Sequence, residues 1–101
     1  MLQLNGVSSG PRLEVIAAVR DAIQSAGGWI TGHQQFSNIS VCLLFEIDAA
    51  HVPDLLARIA AAGVVLSHTA APSRGEVRGS LQITFRHEEP DLRIPVPAVP
   101  G

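Results

Sequence analysis

Along residues 2–68 the apolar positions switch repeatedly between a period of about two and a period of about 3.6, and that switching admits few folds. The stretch "LQLNGVS" (2–8) alternates and then breaks at Asn5 and Gly6, which predicts a short first strand. Pro11 suits the first turn of a helix, where its missing N–H would be unpaired anyway. The run "RLEVIAAVRDAIQSAGG" puts Leu13, Ile16, Val19, Ile23 and Ala26 on one stripe and Glu14, Arg20, Asp21 and Gln24 outward, until Gly27 and Gly28 end it.

Two strands joined by a short turn come next, in "GGWITGHQQFSNISVCLLFEID". A two-residue turn at Ser37 and Asn38 sets Phe36 opposite Ile39, Gln34 opposite Val41 and His33 opposite Cys42; Asn favours the positive φ such turns need, Ser does not, and a longer loop is the alternative. Ile39, Val41, Leu43, Phe45 and Ile47 then share the core face, with Ser40, Cys42, Leu44 and Glu46 on the other. In "AAHVPDLLARIAAAG" the buried stripe is Val52, Leu55, Leu56 and Ile59, and Gly63 stops the helix. A cap at Asp48 would leave Pro53 five positions in, at the cost of a hydrogen bond, so a start nearer His51 is easier. "VVLSH" (64–68) reads as a strand, 67–79 as loop, and "SLQITFRHE" (80–88) as a strand with Leu81, Ile83 and Phe85 inward. Residues 90–101 carry four prolines, which excludes helix and leaves the segment extended or disordered.

The order is therefore β-α-β-β-α-β with one more strand. Right-handed crossovers in such a split βαβ pattern lay both helices on one side of an antiparallel sheet and leave its second face open.

With 101 residues there is room for one domain, expected over 1–89, followed by a Pro-rich tail at 90–101. Apolar residues make up 47% and charged residues 16%, which excludes disorder for the bulk of the chain. So few charges leave little to cover a small monomer's surface and point to a homo-oligomer. The net charge of −2 and the lack of any basic cluster argue against nucleic acid. A single cysteine excludes an internal disulfide and fits a reducing compartment. No run of 18 apolar residues and no basic, apolar leader appear, so neither membrane nor export is expected and the cytoplasm is the default.

The chain over about residues 2–68 resembles the ACT domain, a small ferredoxin-like regulatory module, in "LNGVSSGPRLEVIAAVRDAI", "AGGWI" and "IDAAHVPDLLARIAAAGVVL". The resemblance implies an α+β fold: a ferredoxin-like βαββαβ antiparallel sheet with two helices on one face, here plus an extra C-terminal strand. It also implies pairing through sheet edges or faces, and an amino acid or similar small metabolite sensed at the interface. The family's loop after the first strand is often Asp-x-Pro-Gly; here "SSGPRL" has Gly10 and Pro11 in reversed order with no Asp before them.

Candidate residues fall into two groups. Asn5, Gly6, Ser9, Gly10 and Arg12 belong to the loop feeding the first helix, whose backbone N–H groups suit a carboxylate or phosphate; a turn that merely caps the helix is the better account of them, since any loop feeding a helix has this character. Trp29, Thr31, His33, Cys42 and Leu44 form a patch of mixed polarity on the open face, of the kind that meets another protein surface. His33 and Cys42, if opposite, would stand about 4.5–5.5 Å apart at Cβ, near enough to share a metal or to favour a thiolate. A metal needs further ligands; His51 lies on a helix, His68 ends a strand, and the spacing matches no zinc signature. "SRGEVRG" and the acidic run around His87 read as solvated segments. There are no paired carboxylates on a cleft, no nucleotide-binding glycine motif and no Ser/His/Asp set, so a non-catalytic module without cofactor or metal is expected, and the ACT resemblance implies a regulatory one. A small enzyme or metal-binding protein using His33 and Cys42, and a subunit of a larger complex, are the alternatives.

Overall fold

A computed structural model describes residues 2–37, 39–68 and 74–86. Its elements run β1 (Leu2–Ser8), α1 (Arg12–Ser25), β2 (Trp29–Ser37), β3 (Ser40–Asp48), a 3-10 turn (Ala49–His51), α2 (Val52–Ala61), β4 (Val65–His68) and β5 (Glu76–Phe85). The Pro-rich tail expected at 90–101 and the acidic run around His87 lie outside the described residues.

The fold is α+β: two helices and one five-stranded mixed sheet in the order β2-β3-β5-β1-β4. That arrangement is compatible with a ferredoxin-like one, but the strand order is not a clean βαββαβ. β5 does not extend an edge; it lies between β1 and β3. It pairs antiparallel with β3 and parallel with β1, from Leu2 beside Gly79 to Ser8 beside Phe85. The expectation of a wholly antiparallel sheet is thus corrected. With both its edges paired and one face under helices, β5 is apolar at alternate positions along its whole length.

One core lies between the sheet and the helices. Val41, Leu43, Phe45 and Ile47 of β3 and Val77, Leu81, Ile83 and Phe85 of β5 are buried, while Cys42, Leu44, Arg78 and Gln82 on the reverse face are not. The helices contribute Val15, Ile16, Val19 and Ile23, and Val52, Leu55 and Ile59, to the same cluster. Three expected core residues are outside it, of which Leu56 is partly buried and packs against its margin. Leu13 is 74% exposed, because the inward stripe of α1 is centred on Val15, Val19, Ala22 and Ala26 and Leu13 falls beyond its edge. Ile39 is 49% exposed, since it precedes β3 in the turn and not in the strand.

β5 starts at Glu76, four residues before the sequence suggests. Gly79 reads as a loop residue, yet it is a core position: a Cβ there would meet the ring of Phe45, with Cε2 at 2.6 Å and Cε1 at 2.8 Å. The glycine is the space that the aromatic ring needs. Asp48 accepts from the Ala50 N–H at 2.9 Å and caps the 3-10 turn. α2 begins only at Val52, which puts Pro53 in its first turn where it breaks nothing.

Candidate functional site

The open face is set by the register of the β2–β3 hairpin. Its last pair is Ser37 with Ser40, and Gln35 stands opposite Val41, Gln34 opposite Cys42 and His33 opposite Leu43. This is one residue off the tight turn expected at Ser37 and Asn38. Register shifts between Ile30 and Gly32 and between Gln35 and Ser37 leave Thr31 and Phe36 as the extra residues of two bulges. Each extra residue exchanges the faces of the positions after it.

The first bulge separates His33 from its expected neighbours. Trp29, opposite Glu46, and Gly32, under the side chain of Leu44, belong to the open face. His33, opposite the buried Leu43, is on the helix side, where Arg20 Nη1 of α1 stands 3.3 Å from its Nδ1. The pairing of His33 with Cys42 is therefore corrected: the two side chains are on opposite faces of the sheet. Cys42 instead faces a surface of Gln34, Ser40 and Gln82, with a Gln82 amide to Ser40 hydroxyl contact of 3.4 Å. Partial burial pushes its thiol pKa up, which favours the neutral thiol over the nucleophilic thiolate.

Trp29, Thr31, Cys42 and Leu44 do share the open face. Trp29 is 46% and Leu44 39% exposed. A small cavity of about 210 Å3 lies among Thr31, Leu44, Glu46, Arg78 and Gly79, and two of these, Arg78 and Glu46, form an ion pair at 3.7 Å. The charged residues of this face gather at that end, on Glu46, Asp48, Glu76 and Arg78; its middle, from Gln3 and Asn5 across to Gln34, is uncharged.

The five loop residues scatter. Ser9 and Gly10 line a groove of about 750 Å3 between the start of α1, the end of α2 and the start of β4, together with Pro11, Ala62, Val65 and Arg86. The side of the groove near α1 carries the exposed Glu14. Asn5 and Gly6 line a different cavity, of about 340 Å3, with Ser67, Gln82 and Thr84. Gly6 itself is buried, because Val64 occupies the space a side chain would take. Arg12 lines neither; it opens α1 half-buried, with its Nε buried and without a hydrogen-bond partner. Sequence reasoning missed Ala62, Val65 and Arg86. Nothing local marks them: the crossing of α2 back to β4 brings Ala62 and Val65 beside the β1–α1 turn, and the parallel pairing of β5 with β1 brings Arg86, whose N–H donates to the Ser8 carbonyl.

Among the described residues no three His, Cys, Asp or Glu side chains come together as a metal site. No helix among them is long and apolar enough to cross a membrane. No family model, no curated protein and no solved structure matches this chain.

Proposed function

We propose that this chain is a small ACT-like, ferredoxin-like regulatory module that self-associates through the open face of its sheet and holds a small metabolite such as an amino acid. Removing β5 from the order β2-β3-β5-β1-β4 leaves two interleaved βαβ crossovers, which supports the likeness in fold. The observation that carries the reading is the asymmetry of the sheet. Both helices cover one face, and the other presents Trp29 and Leu44 beside an uncharged polar centre. Aromatic anchors surrounded by uncharged polar groups are what interface centres are made of. The groove beside Ser9 and Gly10 has the volume of a small-molecule site.

Light scattering on the purified chain tests the association. The expected result is a mass above one copy at high micromolar concentration, reduced to one copy by Trp29→Glu. A wild-type chain that stays monomeric, or a variant with undiminished mass, removes the interface. A thermal-shift screen against amino acids and common metabolites tests the ligand, since anything that binds only the folded state raises its melting temperature.

A further inference from the structure

Among the described residues the sheet has two unpaired edges, β2 and β4. β4 is four residues long. β2 is nine residues long, "WITGHQQFS", with no proline and no Asp, Glu, Lys or Arg. Free edges are normally guarded by charges, prolines or bulges, because a row of unpaired N–H and C=O groups is a template for another strand. On β2 only the bulges serve, and between them residues 32–35 run regularly.

The chain also carries a segment written as a one-sided strand. In an extended chain, residues of equal parity direct their backbone groups to one edge and their side chains to one face. In "PDLRIPVPAVP" (90–100), Leu92, Ile94, Val96 and Ala98 share one parity; all four keep their N–H and all four are apolar. Pro95 and Pro97 have the other parity, so that edge lacks donors at its centre. Pro90 and Pro100 return to the donor edge and bracket the run. An extended chain of that pattern would offer an unbroken row of donors on one edge and a broken row on the other.

We infer that residues 92–98 of one copy add to the free edge of β2 of a second copy, reciprocally, about a two-fold axis. A second copy is favoured over the same copy by where β5 ends. The Phe85 N–H donates to the Ile39 carbonyl at 2.8 Å, so the chain leaves the sheet beside the β2–β3 turn. To reach the outer edge of its own β2 it would have to cross over that turn, and connections rarely cross at one end of a sheet. Exchange between copies avoids the crossing and closes as a dimer. This goes beyond self-association through the open face and uses a different surface.

A parity-selective proline scan in the full chain tests it, read by amide hydrogen exchange and light scattering. Ile94→Pro and Val96→Pro remove donors from the pairing edge and should lower protection of the outward β2 amides of residues 32–35 at least tenfold. Arg93→Pro and Val99→Pro fall on the other edge and should retain that protection. Protection in β1, β3 and β5 should be the same in all four, which separates loss of pairing from loss of folding. Equal behaviour of all four variants, unprotected β2 amides in the wild-type chain, or protection that persists in a particle of one-copy mass would each overturn the inference. A dimer that Trp29→Glu leaves intact while Ile94→Pro splits it removes the open-face reading and sustains this one.

Discussion

Gly79→Ala should destabilise this protein, although most glycines in strands are improved by alanine. The glycine backbone is not in the left-handed region, so alanine meets no conformational penalty there and gains about 0.5–1 kcal/mol from reduced unfolded-state freedom. Against that, the added methyl would stand 2.6 Å from Cε2 and 2.8 Å from Cε1 of Phe45, and nearer still to Cζ. Ordinary contact begins near 3.4 Å, so the ring would have to retreat by most of an ångström. Phe45 is 1% exposed and at the centre of the core, so the retreat pushes on Leu43, Leu81 and the helices behind them. Overpacking of this kind costs about 1–3 kcal/mol. The net loss is then up to about 2.5 kcal/mol and centred on about 1 kcal/mol, or about 4–8 °C in melting temperature at that centre for a domain of this size. Urea unfolding followed by circular dichroism measures it. Phe45→Leu deletes the atoms the methyl would strike, so in that background the alanine should be neutral or slightly stabilising. A Gly79→Ala penalty that is the same with Leu at 45, or a stabilising effect in the wild type, would refute the reasoning.

Asp48→Ala should cost about 1 kcal/mol through loss of the cap on the Ala50 N–H, and Asp48→Asn should recover most of it in the same urea titration. Leu13→Ser should change stability by less than about 0.5 kcal/mol, whereas Leu43→Ala should cost about 2–5 kcal/mol, because the first side chain is mostly in solvent and the second is wholly buried. The Cys42 thiol should react with a disulfide reagent more slowly than a model thiol, and its rate should keep rising past the pH at which the model levels off. Because folding raises this pKa, the unfolded chain loses the proton first as pH climbs. Its contribution is complete below the unfolded thiol's pKa and is lost as pH rises through the folded one, so Cys42→Ser should flatten the alkaline end of a stability–pH curve.

The features carried by short-range pattern were legible in the sequence. The alternation of β3, the stripes of Val19, Ile23, Leu55 and Ile59, and the stops after α1 and α2 arise from periods of two and about 3.6 and from glycine at helix ends. Trp29, Thr31, Cys42 and Leu44 came out on one face for the same reason. His33 did not, because a bulge at Thr31 leaves no mark in residue type: threonine is as good in a regular strand as in an irregular one, and one extra residue reverses the parity of every later position in the strand. The start of β5 was hidden by Gly79, whose reason lies across the sheet on Phe45. The groove at Ser9 and Gly10 depends on residues far apart in the chain, so composition near the loop named only those two of its lining residues.

The central position of β5 governs when this protein becomes a folded object at all. Its partners β1 and β3 are both made earlier, and until residues 76–85 arrive each has a bare flank where the last strand will sit. During synthesis the β1–β4 and β2–β3 pairs emerge with no ladder between them, and Leu2 waits for Gly79 before its ladder can close. Such a chain is slow to complete and adhesive while it waits, so its yield in cells will depend on how quickly residues 76–85 follow β4 out of the ribosome.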